Sequence, residues 1–263
     1  MRVACLALCS ALAVSEGVAQ PTRITPVSSI TVSERGRLHH NKARFRSRAD
    51  SLEAERARRL AAEASGYRVV ISLEDRTLWV LYDADTLRTA TVAVASGLTL
   101  DFAGRSWTFR TPRGRHTVLD TKVDPTWVPP DWMYAEAALE HDLRLSPMRI
   151  GKPVSLKDGR WLTVQDSVVG IRDSAGTFSA LPTDEHIVFD STLFIPPFGT
   201  RNRQVSGELG AYALDLGDGY LLHGTPYLDS LGSAATHGCI RLGDEDIEWL
   251  YRHVGRGTPV YIY

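Results

Sequence analysis

From Tyr67 onward the sequence is a succession of short β-branched and aromatic runs divided by Gly, Pro and Asp, and this most restricts how the chain can fold. Tyr67-Arg68-Val69-Val70-Ile71-Ser72-Leu73 and Thr77-Leu78-Trp79-Val80-Leu81-Tyr82 flank Glu74-Asp75-Arg76, a hairpin signal. Residues 89–95, 117–119, 161–164, 186–189, 212–216 and 220–223 continue the series. Many short strands with turn signals predict a mainly β body, most simply a sandwich. Two helices interrupt it. Residues 131–143 are one; the other follows Gly243, with Asp244, Glu245 and Asp246 at its positive end and Ile247, Leu250, Tyr251 and Val254 on one face. Arg252 and His253 fill its last turn and Gly255 stops it. Packing that face on the core holds the preceding loop still.

The residues ahead of Tyr67 differ in kind. Arg2, an apolar run over 3–14 and the small residues Gly17-Val18-Ala19 read as an export signal cut after residue 19. Residues 21–37 are rich in Ser, Thr and Pro without apolar period and read as a linker. Residues 42–64 turn to Ala, Arg, Glu and Leu without Pro or Gly, a helix that Gly66 is placed to stop, with Leu52, Leu60 and the alanines between able to rest on the body. The predicted organisation is a signal peptide over 1–19, a linker and basic helical arm over 20–66, and a body over 67–263. Charge follows this division, with ten Arg/Lys against five Asp/Glu over 21–66 and nineteen against twenty-five over 67–263. The arginines of the arm offer a peripheral contact to an anionic wall or membrane surface, although a solvated helix or stalk is the simpler reading. No second run of eighteen or more apolar residues marks an integral membrane span. Leu8 stands ahead of Cys9 where a lipobox has a small residue, which argues against a lipid anchor.

Of three cysteines, Cys5 and Cys9 fall in the predicted leader, so the exported chain keeps only Cys239. A lone thiol in an oxidising compartment cannot be a bridge within the chain, and its retention points to chemistry. The competing reading, a buried cysteine used as a small apolar side chain, fits a random cysteine better than one flanked by His237 and Gly238 and preceded by His223. A thiol attacks as thiolate, its ordinary pKa lies about 1.5 units above neutral, and a neighbouring imidazole can take the proton. Tyr220-Leu221-Leu222 is a strand delivering His223 at its end, and Cys239 lies in the loop between that strand and the helix after Gly243, so two rigid elements can position the pair. Gly238 lets the chain approach a substrate closely, with the amides of Gly238 and Cys239 free to face an oxyanion. Arg241 is a cation near the thiol that either pairs with a substrate carboxylate or supports the loop. His39 and His40 sit in the linker, and His116, His141, His186 and His253 are scattered without ligand spacing, so no metal is expected. GxGxxG, HExxH and GxSxG patterns are absent, removing dehydrogenase, zincin and serine-hydrolase readings.

The run Thr236-His237-Gly238-Cys239, with His223-Gly224-Thr225 before it and Ile240-Arg241-Leu242 after it, resembles the signature of the L,D-transpeptidase (YkuD-type) catalytic domain family. Leu209-Gly210-Ala211-Tyr212-Ala213-Leu214, Gly257-Thr258-Pro259-Val260 and Thr111-Pro112-Arg113-Gly114 also resemble family blocks, and together they span most of 67–263. Thr236 stands where serine is commoner, keeping the hydroxyl. Residues of about 141–200 are longer than a minimal member needs and read as an insertion. The resemblance implies an L,D-transpeptidase-like β-sandwich in which His223 is the general base, the Gly224 carbonyl orients its ring, and His237 and Thr236 brace the loop. It implies an exported enzyme of the periplasm or cell envelope acting on peptidoglycan stem peptides. Cys239 attacks the bond after meso-diaminopimelate, releases D-alanine, and passes the acyl group to another stem, with no cofactor and no nucleic-acid partner. Two alternatives share the sequence: hydrolysis of the same stems as an L,D-carboxypeptidase or endopeptidase, the acceptor being chosen by the pocket around 141–203, and a non-catalytic wall-binding module.

Overall fold

Val69 and Ile71 on one strand and Leu78 and Val80 on its neighbour are fully buried, and the alternation that puts them on one face decides where two sheets meet. The structure is a computed structural model that describes residues 36–40 and 47–263. The expected leader with Cys5 and Cys9, most of the linker, and residues 42–46 of the expected arm lie outside the described residues.

A five-stranded sheet has the order Asp85–Thr91, Thr77–Tyr82, Tyr67–Ser72, Pro259–Ile262, Gly114–Thr117. Its middle joins the two ends of the body, since Tyr67–Ser72 runs parallel to the C-terminal strand. A four-stranded sheet has the order Ile240–Arg241, Tyr220–His223, Tyr212–Gly217, Asp120–Val123. One core joins them: Val69, Ile71, Leu78, Val80, Val260 and Ile262 of the first sheet pack with Leu214, Leu222 and Ile240 of the second. The body is therefore mainly β and built as a sandwich, as its strand pattern predicts.

Three helices are described: α1 (Arg48–Glu63), α2 (Asp131–Glu140) and α3 (Asp244–His253). The last has the predicted bounds, with Ile247, Leu250 and Val254 buried in the sandwich core. Arg88 reaches Asp246 in its first turn, Nε to Oδ1 2.7 Å, fastening the helix to the first sheet. The middle helix ends three residues before the expected 143, where Asp142 turns to φ +50°. It is buried on most sides, with Tyr134, Ala135, Ala138 and Leu139 packed among Leu100, Phe102, Phe109, Leu193 and Ile195. Buried Arg203 donates to the carbonyls of Pro129 and Pro196, both at 2.9 Å, and to Asp131 at 2.6 Å, fixing the start of α2.

Residues 141–200 form small sheets of their own. Val154–Ser155, Trp161–Gln165, Val168–Arg172 and Phe178–Ala180 make one, and Arg144–Pro147, Thr192–Ile195 and Ile187–Phe189 another. Leu156, Leu162, Val169, Ile187 and Phe189 give this segment a separate apolar core. The second helix links this segment to the main body, because its Leu193 and Ile195 pack with α2.

Two expectations for the N-terminal arm change. Gly36–His40, read as linker and including His39 and His40, is a strand antiparallel to Leu98–Phe102. Its register rests on backbone hydrogen bonds with an existing strand, which need no apolar alternation to read. Leu52, expected against the body, is 61% exposed. Ala57, one of the alanines expected there, is buried with Ala61 one turn on, and Leu60 and Ala61 pack with Val70 and Tyr261 on the outer face of the five-stranded sheet as expected of that part of the arm. Leu52 precedes Ala57 by five residues, which on a helix puts it well off that stripe.

Buried Arg68 clasps α1 to the sheet. Its guanidinium donates to the carbonyls of Ala61 (3.1 Å), Gly66 (3.0 Å) and Asp83 (3.0 Å). Arg68→Met keeps the volume but leaves three carbonyls without that donor, and should lower the unfolding free energy by about 2–4 kcal/mol in urea titrations. An unchanged midpoint would mean that the clasp contributes nothing.

Candidate active site

His223 and Cys239 are brought together by strand pairing. Tyr220–His223 lies parallel to Ile240–Arg241 with Leu222 opposite Ile240 and His223 opposite Arg241, and the amide of Leu242 donates to the His223 carbonyl at 2.9 Å. Continuing that register back by one puts Cys239 beside Leu221, on the same face as His223 and two residues from it. Cys239 lies, as expected, in the loop after Tyr220–His223, at the last position of a bend directly before the short strand Ile240–Arg241.

The imidazole is held in one orientation. His223 is 4% exposed, and its Nδ1 donates to the Gly224 carbonyl at 2.5 Å, which leaves Nε2 with its lone pair. Burial pulls its pKa down to about 4, with the Arg241 charge acting the same way and the carbonyls of Gly224 and Leu209 opposing it. At neutral pH the ring is a neutral base. Two glycines make this geometry accessible: Gly210 has φ +66°, and a Cβ there would lie 2.7 Å from the Gly224 Cα. Backbone meets backbone at this point, and Leu209 comes within reach of the histidine.

The thiol has a partly exposed face in a densely packed setting. Its Sγ lies 3.7 Å from the Gly219 carbonyl, its hydrogen-bond partner among the described residues. Burial pushes the Cys239 pKa up, against the lowering effect of the Leu221 backbone and Arg241. A neutral thiol beside a neutral imidazole is therefore the resting pair. Proton transfer from one to the other becomes favourable only as the sulfur begins to bond to an electrophile.

The loop before the cysteine is fixed at three places. Thr236 Oγ1 donates to the Cys239 carbonyl at 2.6 Å and accepts from the Gly238 amide at 3.3 Å. Gly238 has φ +152°, and a Cβ would stand 3.0 Å from the Tyr220 ring and 3.2 Å from the Arg110 carbonyl, so no other residue fits without displacement. His237 Nε2 bonds both carboxylate oxygens of Glu136, at 3.0 and 2.9 Å, while its ring stacks on Trp132 with centroids 4.0 Å apart and meets the edge of Phe109. Trp132 and Glu136 are one turn apart on α2, so a single helix face grips the loop. Arg241 lies over the Tyr227 ring at 5.6 Å, and Tyr227 donates its hydroxyl to Glu208 at 3.2 Å.

All seven predicted site residues thus fall in one region, with His223, Gly224 and Cys239 at its centre and Thr236, His237, Gly238 and Arg241 around them. Sequence reasoning missed Glu136, Trp132 and Phe109 around His237, and Glu208 and Tyr227 beside Arg241. The first three are distant in sequence and carry no motif. Leu209-Gly210, next to Glu208, belonged to a resembling block but was given no role. Among the described residues no three His, Cys, Asp or Glu side chains converge as a metal set.

Known proteins resemble this chain in sequence and in fold. A family model described as the L,D-transpeptidase catalytic domain, YkuD, matches residues 66–262. A probable L,D-transpeptidase, YbiS, of Escherichia coli K12 is 44% identical over 52 residues, which are 20% of this chain and 17% of that relative. A probable L,D-transpeptidase, ErfK/SrfK, of Salmonella typhimurium is 43% identical over 54 residues, 20% of this chain and 18% of the relative. Among solved structures, an L,D-transpeptidase from Xylanimonas cellulosilytica aligns with a TM-score of 0.39 at 18% identity, covering 76% of this chain and 62% of that one. The chain matches less than a fifth of the length of these two curated relatives.

The low pKa of His223 carries a stability consequence. Between its ordinary value near 6.5 and its folded value of about 4, the unfolded chain binds a proton that the folded chain refuses. The stability tied to the neutral ring is complete above pH 6.5 and is lost as pH falls toward 4. Urea unfolding of wild type and His223→Gln should therefore show the wild type losing about 2–3 kcal/mol relative to the variant between about pH 7 and pH 4.5. A difference independent of pH would mean that the ring protonates freely in the fold.

Proposed function

The chain belongs to the L,D-transpeptidase catalytic domain family, and from that premise we propose that Cys239 carries an acyl group between two peptidoglycan stem peptides with His223 as its general base. The observation that best supports this is the strand register that sets Cys239 and His223 on one face, with Nδ1 of the histidine committed to the Gly224 carbonyl. An imidazole so held offers only Nε2 to the thiol.

In this reading Cys239 turns from Gly219 toward His223 as the donor tetrapeptide binds. Nε2 takes the thiol proton while the sulfur attacks the carbonyl of the L-to-D bond after meso-diaminopimelate. The amides of Gly238 and Cys239 face the oxyanion, which the open backbone at Gly238 permits. Collapse returns the proton from His223 to the departing amine, so D-alanine leaves and a thioester remains. The side-chain amine of a second stem then attacks, His223 accepts its proton and passes it to the leaving sulfur, and two third-position residues are joined. Arg241 supplies a positive charge beside the site for a substrate carboxylate. His237 and Thr236 keep the loop from shifting during both steps. No metal or organic cofactor takes part. The enzyme works outside the cytoplasmic membrane, residues 1–19 being its export signal.

Incubation with purified disaccharide-tetrapeptide, read by mass spectrometry, tests the reading. The expected product is a cross-linked dimer formed with loss of D-alanine, and Cys239→Ala should reduce it at least about a thousandfold while leaving the thermal melt unchanged. A trimmed disaccharide-tripeptide alone would make the enzyme an L,D-carboxypeptidase. Turnover by Cys239→Ala, or no reaction by folded wild type, would overturn the proposal.

A further inference from the structure

The aromatic grip on the catalytic loop does not end at Trp132. That ring stacks on His237 at 4.0 Å, and the Trp127 ring lies 6.1 Å beyond it, so a line of rings leads outward from the residue two before Cys239. Trp127 and Trp132 are both half-buried, each with part of its ring open to solvent. Phe198 is 63% exposed and lies on the buried guanidinium of Arg203 at 3.9 Å. The same guanidinium holds the Pro129 carbonyl at 2.9 Å, so Phe198 and Trp127 both stand beside the start of α2.

These rings are held firmly. Trp127 exchanges both backbone hydrogen bonds with Val205, each 2.8 Å long. The turn carrying Phe198 follows two prolines, which fix its entry. Thr200 is completely buried, and its Oγ1 donates to the Pro197 carbonyl at 2.7 Å. The Asn202 side chain accepts from the Val169 amide at 2.8 Å and donates to the Pro182 carbonyl at 2.9 Å. Three buried polar side chains, those of Thr200, Asn202 and Arg203, thus fix a turn that bears an exposed aromatic ring. A ring already held still loses little freedom when a ligand settles on it.

The surface consists of separate rings, with Val128, Pro130 and Pro197 adjoining them in the chain, rather than a continuous aliphatic groove. It suits a ligand with apolar faces and a polar rim. A pyranose has this form: C–H groups cover its faces and hydroxyls ring its edge, so stacking removes apolar area from water while the hydroxyls stay solvated.

We propose that Trp127 and Phe198 form a saccharide subsite that stacks the sugar rings bearing the donor stem. This rests on the function proposed above and extends it from the stem peptide to the glycan that carries it. The reach agrees. The bond to be broken follows the third stem residue, and three extended residues span about 10–11 Å. Steps of 4.0 and 6.1 Å from the His237 ring through Trp132 to Trp127 cover a similar length.

The test follows D-alanine release from free tetrapeptide and from disaccharide-tetrapeptide. Wild type is compared with Trp127→Ala, Trp127→Phe, Phe198→Ala and Phe198→Tyr, with a thermal melt and iodoacetamide labelling of Cys239 verifying fold and thiol. Wild type should prefer the disaccharide substrate by about 10- to 100-fold in kcat/KM, expressed in KM. Each alanine variant should lower that ratio about tenfold, and Trp127→Phe and Phe198→Tyr, which keep a ring face, should retain most of it. A ratio between two substrates on one variant is unmoved by a general loss of activity. Peptide-free glycan strands should also quench the intrinsic fluorescence of wild type, and should do so for folded Phe198→Ala only at about tenfold higher concentration. Equal wild-type kinetics on the two substrates would overturn the subsite, as would a ratio unchanged in both folded alanine variants. Dimers in sedimentation equilibrium that Phe198→Ala dissolves would assign the rings to an interface between copies of the chain instead. Glycan binding through both rings without D-alanine release from either substrate would remove the proposed function and leave a saccharide site; release without preference or glycan binding would remove the subsite alone.

Discussion

The pairing of Tyr220–His223 with Ile240–Arg241 is a two-residue ladder, yet the whole site depends on its register. Leu222 and Ile240 face the sandwich core and are almost completely inaccessible. A slip of one residue in either strand would turn an apolar side chain outward and bring a neighbour inward, so core burial fixes the register that hydrogen bonds alone would not. Because His223 and Cys239 adjoin Leu222 and Ile240, the apolar core holds the reactive pair in place. The third helix completes the arrangement, since Ile247 and Leu250 close the core directly after the strand bearing Arg241.

Electrostatics then set the resting state. The same burial that fixes His223 removes its charge, and it raises the thiol of Cys239 as well. An ion pair at rest would require both shifts to run the other way. The geometry instead suits a base that takes a proton during attack, and a thiol held neutral at rest is less reactive toward adventitious electrophiles. Around this neutral centre the charged groups stand back: Glu136 holds His237 on the helix side, and Glu208 and Arg241 flank the opening.

Much of this was legible in the sequence, for reasons that differ by element. Thr77–Tyr82 and Asp244–His253 have their predicted bounds because alternation and capping charges are local signals. The cysteine, its flanking histidines and the glycine between them were readable because they fall in one short stretch of sequence, although a thiol reaction needs such groups close only in space. The strand Gly36–His40 and the grip of Trp132 and Glu136 on His237 were not, because each is a contact between segments far apart whose residues are unremarkable locally. The segment 141–200 shows the same limit. Its strands alternate recognisably, but its separate core and its attachment through α2 arise only from tertiary packing.

The claim on which the rest turns is that Cys239 carries the acyl group, and the covalent intermediate is its most direct test. Protein mixed with disaccharide-tetrapeptide and quenched in acid during turnover should gain the mass of the substrate less D-alanine, and fragmentation should place that mass on the peptide containing Cys239. Release of D-alanine with no adduct, or an adduct at any other residue, would contradict the account.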